Sequence, residues 1–132
     1  MLSMYDKELV RDILIQILEA TQKVITRFAP IRSAADFTDS PEGMEKLDSI
    51  CMQLMAIGES LKNIDKITNK TLLTKYPEID WKGAKGLRDI ITHQYFDIDA
   101  EEIHFVCRKH IPPLALTIKK IIKEIDSSDG SF

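Results

Sequence analysis

Apolar residues in this chain recur at three- and four-residue steps along most of its length, and no stretch alternates singly. The first spacing lines one side of an α-helix, whereas a half-buried strand needs a period of two. The clearest example is Leu9, Val10, Ile13, Leu14, Ile17, Leu18, Thr21, Val24, Ile25 and Phe28, which predicts a helix over residues 3–28. Ser3, with Asp6 three residues on, supplies an N-cap and an acid that suits the positive end of the helix dipole. The stripe is wide enough to face more than one neighbour. Its stretch 9–24 is expected to lie in the longest uninterrupted helix of the molecule.

The remaining segments follow the same period. Pro30 ends the first helix, and Asp36-Phe37-Thr38-Asp39 reads as a loop with one anchoring aromatic. Ser40-Pro41 restarts helix, with the proline at a first-turn position where its missing N–H costs little. Met44, Leu47, Ile50, Cys51, Leu54, Met55, Ile57 and Leu61 carry it to about residue 63. Gly58 lowers helix stability, so a close helix crossing is the expected reason for it. Residues 65–76 predict a short, irregular helix around Leu72 and Leu73, closed by Pro77. Asp80 then caps a helix that ends near residue 96. Asp99 and Glu102 open the last one, in which Ile103, Val106 and Cys107 face inward. Pro112-Pro113 must interrupt or kink it, because an internal proline removes a hydrogen bond and clashes with the preceding turn. Leu114, Leu116, Ile118, Ile121, Ile122 and Ile125 continue the stripe. The expected fold is all-α: a single domain over residues 1–126, an up-and-down bundle of four or five helices, with a disordered polar tail over 127–132.

Charge narrows the function. A net charge of −3 over 132 residues argues against a protein that grips nucleic acid over a broad surface, since such binding neutralises many phosphates at once. A nucleic-acid role must be local. No apolar run is long enough to span a bilayer, and no leader pattern opens the chain, so a cytoplasmic location is expected. Cys51 and Cys107 match no ligand or redox spacing and read as reduced, buried thiols. His104 and His110 fall on different helix faces and form no ligand set with His93, so neither a metal site nor a cofactor is expected.

Chemistry concentrates in residues 81–95, Trp-Lys-Gly-Ala-Lys-Gly-Leu-Arg-Asp-Ile-Ile-Thr-His-Gln-Tyr. Ala84, Leu87, Ile90 and Ile91 form its apolar stripe. Arg88 and Tyr95 are close to two turns apart and project from nearly the same face. Asp89 and His93, four apart, are expected to touch. Lys82 and Lys85 add to Arg88 and His93 a small cationic patch. RNA is cut without metal when its own 2′-hydroxyl attacks the adjacent phosphate. That step needs proton transfer near neutrality, which suits His93, and a cation for the phosphorane oxygens, which suits the planar fork of Arg88. Asp89 would steady the His93 ring, and Tyr95 would stack on a base or bond a phosphate. Each residue also has a plainer role: Lys82 and Lys85 on a solvated face, His93 at a helix end, Arg88–Asp89 as a surface pair, Tyr95 with Phe96 as a plug for the core.

The pattern Arg88-Asp89-x-x-x-His93-x-Tyr95 resembles the Arg-x-x-x-x-His-x-Tyr motif of the HepT-like branch of the HEPN domains. Tyr76-Pro77-Glu78-Ile79-Asp80-Trp81 before it, Asp97-Ile98-Asp99 after it, and Ile57-Gly58-Glu59 and Asp36-Phe37 upstream are similar to that family as well. The resemblance spans residues 4–125. Asp89, where the family has Asn at least as often, and Ser60, where Ala is usual, depart from it without removing a reacting group. The resemblance implies a ribonuclease toxin with Arg88 and His93 as catalytic residues and Asp89 and Tyr95 in support; the local cationic patch places Lys82 and Lys85 on the RNA. It implies a homodimer with two motifs across a shared cleft, and it leaves Glu59 either a solvated charge or a partner of Arg88. It also implies a partner, a MntA-like minimal nucleotidyltransferase antitoxin that adenylylates Tyr95. A second reading keeps the motif only as the modification and docking surface of a non-catalytic helical module that binds this nucleotidyltransferase.

Overall fold

In the computed structural model, residues 3–94 and 96–127 are described, the side chain of Tyr5 excepted. They contain helices and turns but no strand. Helix α1 (Met4–Phe28) starts where Ser3 Oγ accepts the Asp6 N–H at 3.0 Å. Its inward positions Val10, Leu14, Ile17, Thr21 and Val24 are buried and alternate in steps of four and three. They form one continuous seam against α3 (Pro41–Thr68) and α6 (Ile111–Ser127). Between α1 and α3 the chain is not the plain loop expected. Residues Ala35–Thr38 form a single helical turn, α2, which Asp36 steadies by accepting the Arg32 N–H at 2.8 Å. Phe37 on this turn is fully buried.

Helix α3, at 28 residues, is longer than α1, at 25, so the expected ranking is reversed. The end expected near residue 63 does not occur, because Ile57, Leu61, Ile64 and Thr68 stay on one buried stripe. The helix therefore runs on to Thr68. It ends at Asn69, whose left-handed backbone (φ 52°) suits the short amide side chain. The irregular helix expected over 65–76 reduces to one 3₁₀ turn at Leu73–Lys75, with Leu72, Leu73 and Tyr76 packed into the core.

The last two helices are one continuous run. α5 (Ala100–Phe105) is capped by Asp99, which accepts the N–H groups of Glu101 and Glu102. A π turn over Val106–His110 joins it to α6. There the Ile111 N–H reaches back to the Val106 carbonyl, one residue farther than in an α-helix. This wide turn directly precedes Pro112 and Pro113, which cannot donate and would crowd the carbonyls below them. The prolines thus widen the helix rather than interrupt it. Leu116, placed on the apolar stripe by sequence, is 67% exposed, because it stands two residues from both Leu114 and Ile118 and so on the opposite side of α6. The result is an all-α helical bundle. No helix among the described residues is long and apolar enough to cross a membrane. Residues 128–132, most of the expected tail, lie outside the described residues, and α6 itself extends to Ser127.

Candidate active site

The site is built on α4 (Trp81–His93), and a glycine on the neighbouring helix decides where α4 sits. Asp80 Oδ1 accepts the Gly83 N–H at 3.0 Å and starts the helix. Trp81 Nε1 donates to the Tyr76 carbonyl at 2.8 Å and fixes the entry of the chain. Leu87 and Ile91 are buried against the core, and α4 packs chiefly on α3. At the crossing, a Cβ on Gly58 would lie 3.0 Å from the Arg88 nitrogen, 3.1 Å from the Lys85 carbonyl oxygen and 3.2 Å from that of Ala84. The expected close crossing is therefore real, and its partner is the backbone of α4. The helix ends at His93 rather than near residue 96, with the Gln94 N–H donating to the Ile90 carbonyl at 3.1 Å.

This crossing sets Glu59, the next residue on α3, beside Arg88. Glu59 Oε2 lies 3.4 Å from Arg88 Nε, the second of the two roles left open for it. Arg88 Nη1 donates to Asp89 Oδ1 at 3.1 Å, and Lys62 Nζ donates to Asp89 Oδ2 at 3.0 Å. Lys85 reaches back to Asp65, a largely buried carboxylate. Cations and carboxylates thus alternate across the α3–α4 seam. The Lys62 ammonium first, and the Arg88 guanidinium second, hold the Asp89 carboxyl below the usual carboxylate range.

These contacts correct one expectation. Asp89 does not touch His93: each of its oxygens is taken, one by Lys62 and one by Arg88. Four residues of spacing bring two side chains within reach, but here Lys62 and Arg88 already occupy the carboxylate. His93 stands exposed at the last position of α4. Arg88, 45% exposed, is likewise open to solvent. Lys82 is exposed with no ion pair among the described residues, whereas Lys85 is committed to Asp65. Tyr95 lies outside the described residues.

Sequence reading missed Lys62, Asp65, Lys66 and Lys70. The signal was available: Lys62, Lys66 and Lys70 follow one another at four-residue steps, the first two on α3 and the third just past its end. It also missed the environment on the far side of α4. There, an open groove of about 470 Å³ separates α4 from α5 and the start of α6. Ala84, Leu87, Ile90, Phe105, Val106 and Leu114 line it. Ile90 and Phe105 are 36% and 47% exposed.

Of the other titratable candidates, His104 has a buried Nε2 with no hydrogen-bond partner among the described residues. Cys51 and Cys107 are free and buried, and desolvation pushes their thiols up to about 11 and about 12. His104 meets the Phe28 ring edge-on at 5.1 Å and His110 meets Phe105 at 5.3 Å. Among the described residues no three of His, Cys, Asp and Glu gather as a metal site would require. The Tyr76 hydroxyl is buried and donates to Glu124, and burial raises its pKa above that of a free phenol.

Comparison with known proteins adds a lineage to this geometry. The family described as "Ribonuclease HepT-like" matches residues 17–121. A "Putative RNase" of Methanocaldococcus jannaschii is 30% identical over 123 residues, covering 93% of this chain and 95% of that protein. Another "Putative RNase", from Caldanaerobacter subterraneus, is 30% identical over 86% of this chain and 95% of its own length. A "Probable ribonuclease HepT" of Thermococcus cleftensis is 29% identical over 57% of this chain and 64% of that one. No solved structure gives a significant match.

Proposed function

Because the chain belongs to the HepT-like ribonuclease family, we propose that it is a metal-independent RNA endonuclease, the toxin of a toxin–antitoxin pair, acting through Arg88 and His93. The observation that carries this reading is the exposure of both side chains on one short helix, with the Arg88 guanidinium already steered by two carboxylates. The RNA 2′-oxygen bonds to the adjacent phosphorus and the bond to the 5′-oxygen breaks, leaving a 2′,3′-cyclic phosphate. One imidazole takes the 2′-hydroxyl proton, and an imidazolium returns one to the leaving 5′-oxygen. Arg88 bears the charge that builds on the phosphorane oxygens, where its planar fork fits.

One protomer supplies one His93, and the reaction uses a base and an acid. A two-fold homodimer with α4 near its axis brings two copies of the motif to one cleft. In this arrangement the partner copy would sit against the groove beside α4, where Ile90 and Phe105 are open to solvent. Lys82, exposed on the same helix, suits contact with RNA. Control comes from a MntA-like nucleotidyltransferase that attaches adenylate to Tyr95. The added phosphodiester competes with RNA for Arg88, and the adenosine fills the cleft.

The test is cleavage of RNA by the purified protein in excess chelator, with His93→Ala and Arg88→Ala beside it. Cleavage by the wild type should persist and leave cyclic phosphate ends. His93→Ala should lose about a hundred- to ten-thousand-fold, the usual worth of a general acid–base. Activity lost to chelator and restored by a divalent ion would refute the mechanism. Absence of cleavage in all three would leave the helical module that only binds the nucleotidyltransferase.

A further inference from the structure

Lys62, Lys66 and Lys70 lie at four-residue steps over the end of α3 and the residue pair that follows it. With Lys85 from α4 they surround an open groove of about 430 Å³, completed by Asp65 and Asn69. Four cations face one carboxylate here, in a chain whose net charge is −3. Two of the cations have an internal explanation. Lys85 neutralises the largely buried Asp65, and Lys62 bonds Asp89. The partial negative charge at a helix C-terminus favours one more. Lys66 and Lys70 nevertheless are exposed, with no acidic partner among the described residues. Lys70 is turned back toward the groove by the left-handed pair Asn69–Lys70 (φ 52° and 62°), which its own N–H locks by donating to the Asp65 carbonyl at 2.8 Å.

One groove residue, Lys62, also reaches the reacting face. Lys62 on its rim and Arg88 share the two oxygens of Asp89. A polyanion whose scissile phosphate sits on Arg88 therefore passes Lys62 first and then Lys66 and Lys70. We propose that this groove is an RNA backbone subsite, holding phosphates that neighbour the cleaved one and setting how long an RNA the protein binds well. The proposal rests on the ribonuclease reading above and adds to it a place for the flanking chain.

Counterion release gives the expected size. Each phosphate contact on a single strand contributes about 0.7 to the slope of log affinity against log salt. Removing two should flatten the slope by about 1.4, which at 0.1 M salt corresponds to about 25-fold weaker binding. The experiment uses the whole protein and a fluorescent 12-nucleotide 2′-O-methyl RNA, which cannot be cut because its attacking hydroxyl is blocked. Lys66→Gln/Lys70→Gln is compared with Lys66→Arg/Lys70→Arg and with Lys119→Gln/Lys123→Gln, an equal charge change on α6. Thermal melting confirms that each is folded.

The Gln pair in the groove should show the flatter slope and the weaker binding. The Arg pair and the α6 pair should match the wild type. Cleavage of a trinucleotide, too short to fill the groove, should be unchanged in all. An unchanged slope in the groove variant, or an equal loss in the α6 variant, overturns the subsite. So does unchanged RNA binding with weakened capture of the nucleotidyltransferase, which would assign the lysines to a protein partner. If the 12-mer binds with the expected slopes while RNA is not cut, the nuclease reading fails and the subsite stands. If the wild type cuts RNA and the slopes coincide, the reverse holds. No binding by the wild type overturns both.

Discussion

Replacing Gly58 by alanine should destabilise the protein by about 1 kcal/mol, although alanine is the better helix former. In an exposed helix interior the exchange gains about 1 kcal/mol of propensity. Here the new Cβ would stand 3.0, 3.1 and 3.2 Å from three backbone atoms of α4. Optimal contact for such atoms is about 3.5–4.0 Å, so α4 must retreat by a few tenths of an ångström. None of the three atoms belongs to a side chain that could rotate away. Overpacking of this kind typically costs about 1–3 kcal/mol, which outweighs the propensity gain. The matched control is Gly86 on α4 itself, where an added Cβ meets nothing within 4 Å. Gly86→Ala should stabilise by about 0.5–1 kcal/mol. Urea unfolding of both variants beside the wild type gives the comparison, and the two midpoints should move in opposite directions. Thermal midpoints should differ by several degrees, since about 1 kcal/mol shifts a domain of this size by about 3–5 °C. Gly58→Ala as stable as Gly86→Ala would refute the idea that the crossing requires a glycine.

Three further outcomes are expected. The Asp89 carboxyl is held below its usual range by Lys62 and then Arg88, so its contribution to stability is full above the ordinary carboxylate value of about 3.9 and is lost as pH falls through the folded value. Asp89→Asn should therefore melt below the wild type at neutral pH, with the gap closing in acid; a gap independent of pH would count against the pairing. Tyr95→Phe should keep RNA cleavage but escape neutralisation by the nucleotidyltransferase and ATP, and mass spectrometry that places adenylate on Tyr5 or Tyr76 instead would remove Tyr95 from its role. Ile90→Glu/Phe105→Glu should convert a dimer into a folded monomer by light scattering and abolish cleavage. Persistence of the dimer would move the interface elsewhere.

Periodicity made the helices legible because it reports directly on which residues are buried. Ser3, Ser40, Asp80 and Asp99 were equally readable, since each caps its helix through a local side chain–backbone bond. What sequence could not convey was competition among longer contacts. The helix from Pro41 is expected to end near residue 63, yet Ile64 and Thr68 lie on the core stripe and carry it on. Pro112-Pro113 read as an interruption or a kink, and the departure from α-helix takes the form of one widened turn before them. At the site, Arg88 and His93 were legible as a motif, whereas Glu59 was left between two roles. The Asp89–His93 contact failed because spacing within a helix says nothing of cations arriving from another helix. Lys62 arrives from α3 only because Gly58 lets the two backbones approach.

That approach also explains how an acidic protein can present a cation for phosphate. Arg88 is steered by Glu59 and Asp89, both of them partly exposed. An exposed pair such as Arg88–Glu59 contributes about 0–1 kcal/mol, enough to bias the orientation of a long side chain and too little to withhold it from a dianionic transition state. The carboxylates mark where phosphate oxygens would lie, and they cost little to displace. Asp89 carries a full charge where the amide of Asn would carry none, and it ties Arg88 to Lys62. Exchanging it for Asn leaves Lys62 free to bind phosphate, so Asp89→Asn should bind the 2′-O-methyl 12-mer more tightly than the wild type. Its salt dependence should be steeper by up to about 0.7, the share of one contact. If binding weakens instead, Asp89 positions Arg88 more than it restrains it. Kinetics then separate the two roles, because a lost positioning residue lowers turnover, whereas a lost restraint lowers the Michaelis constant.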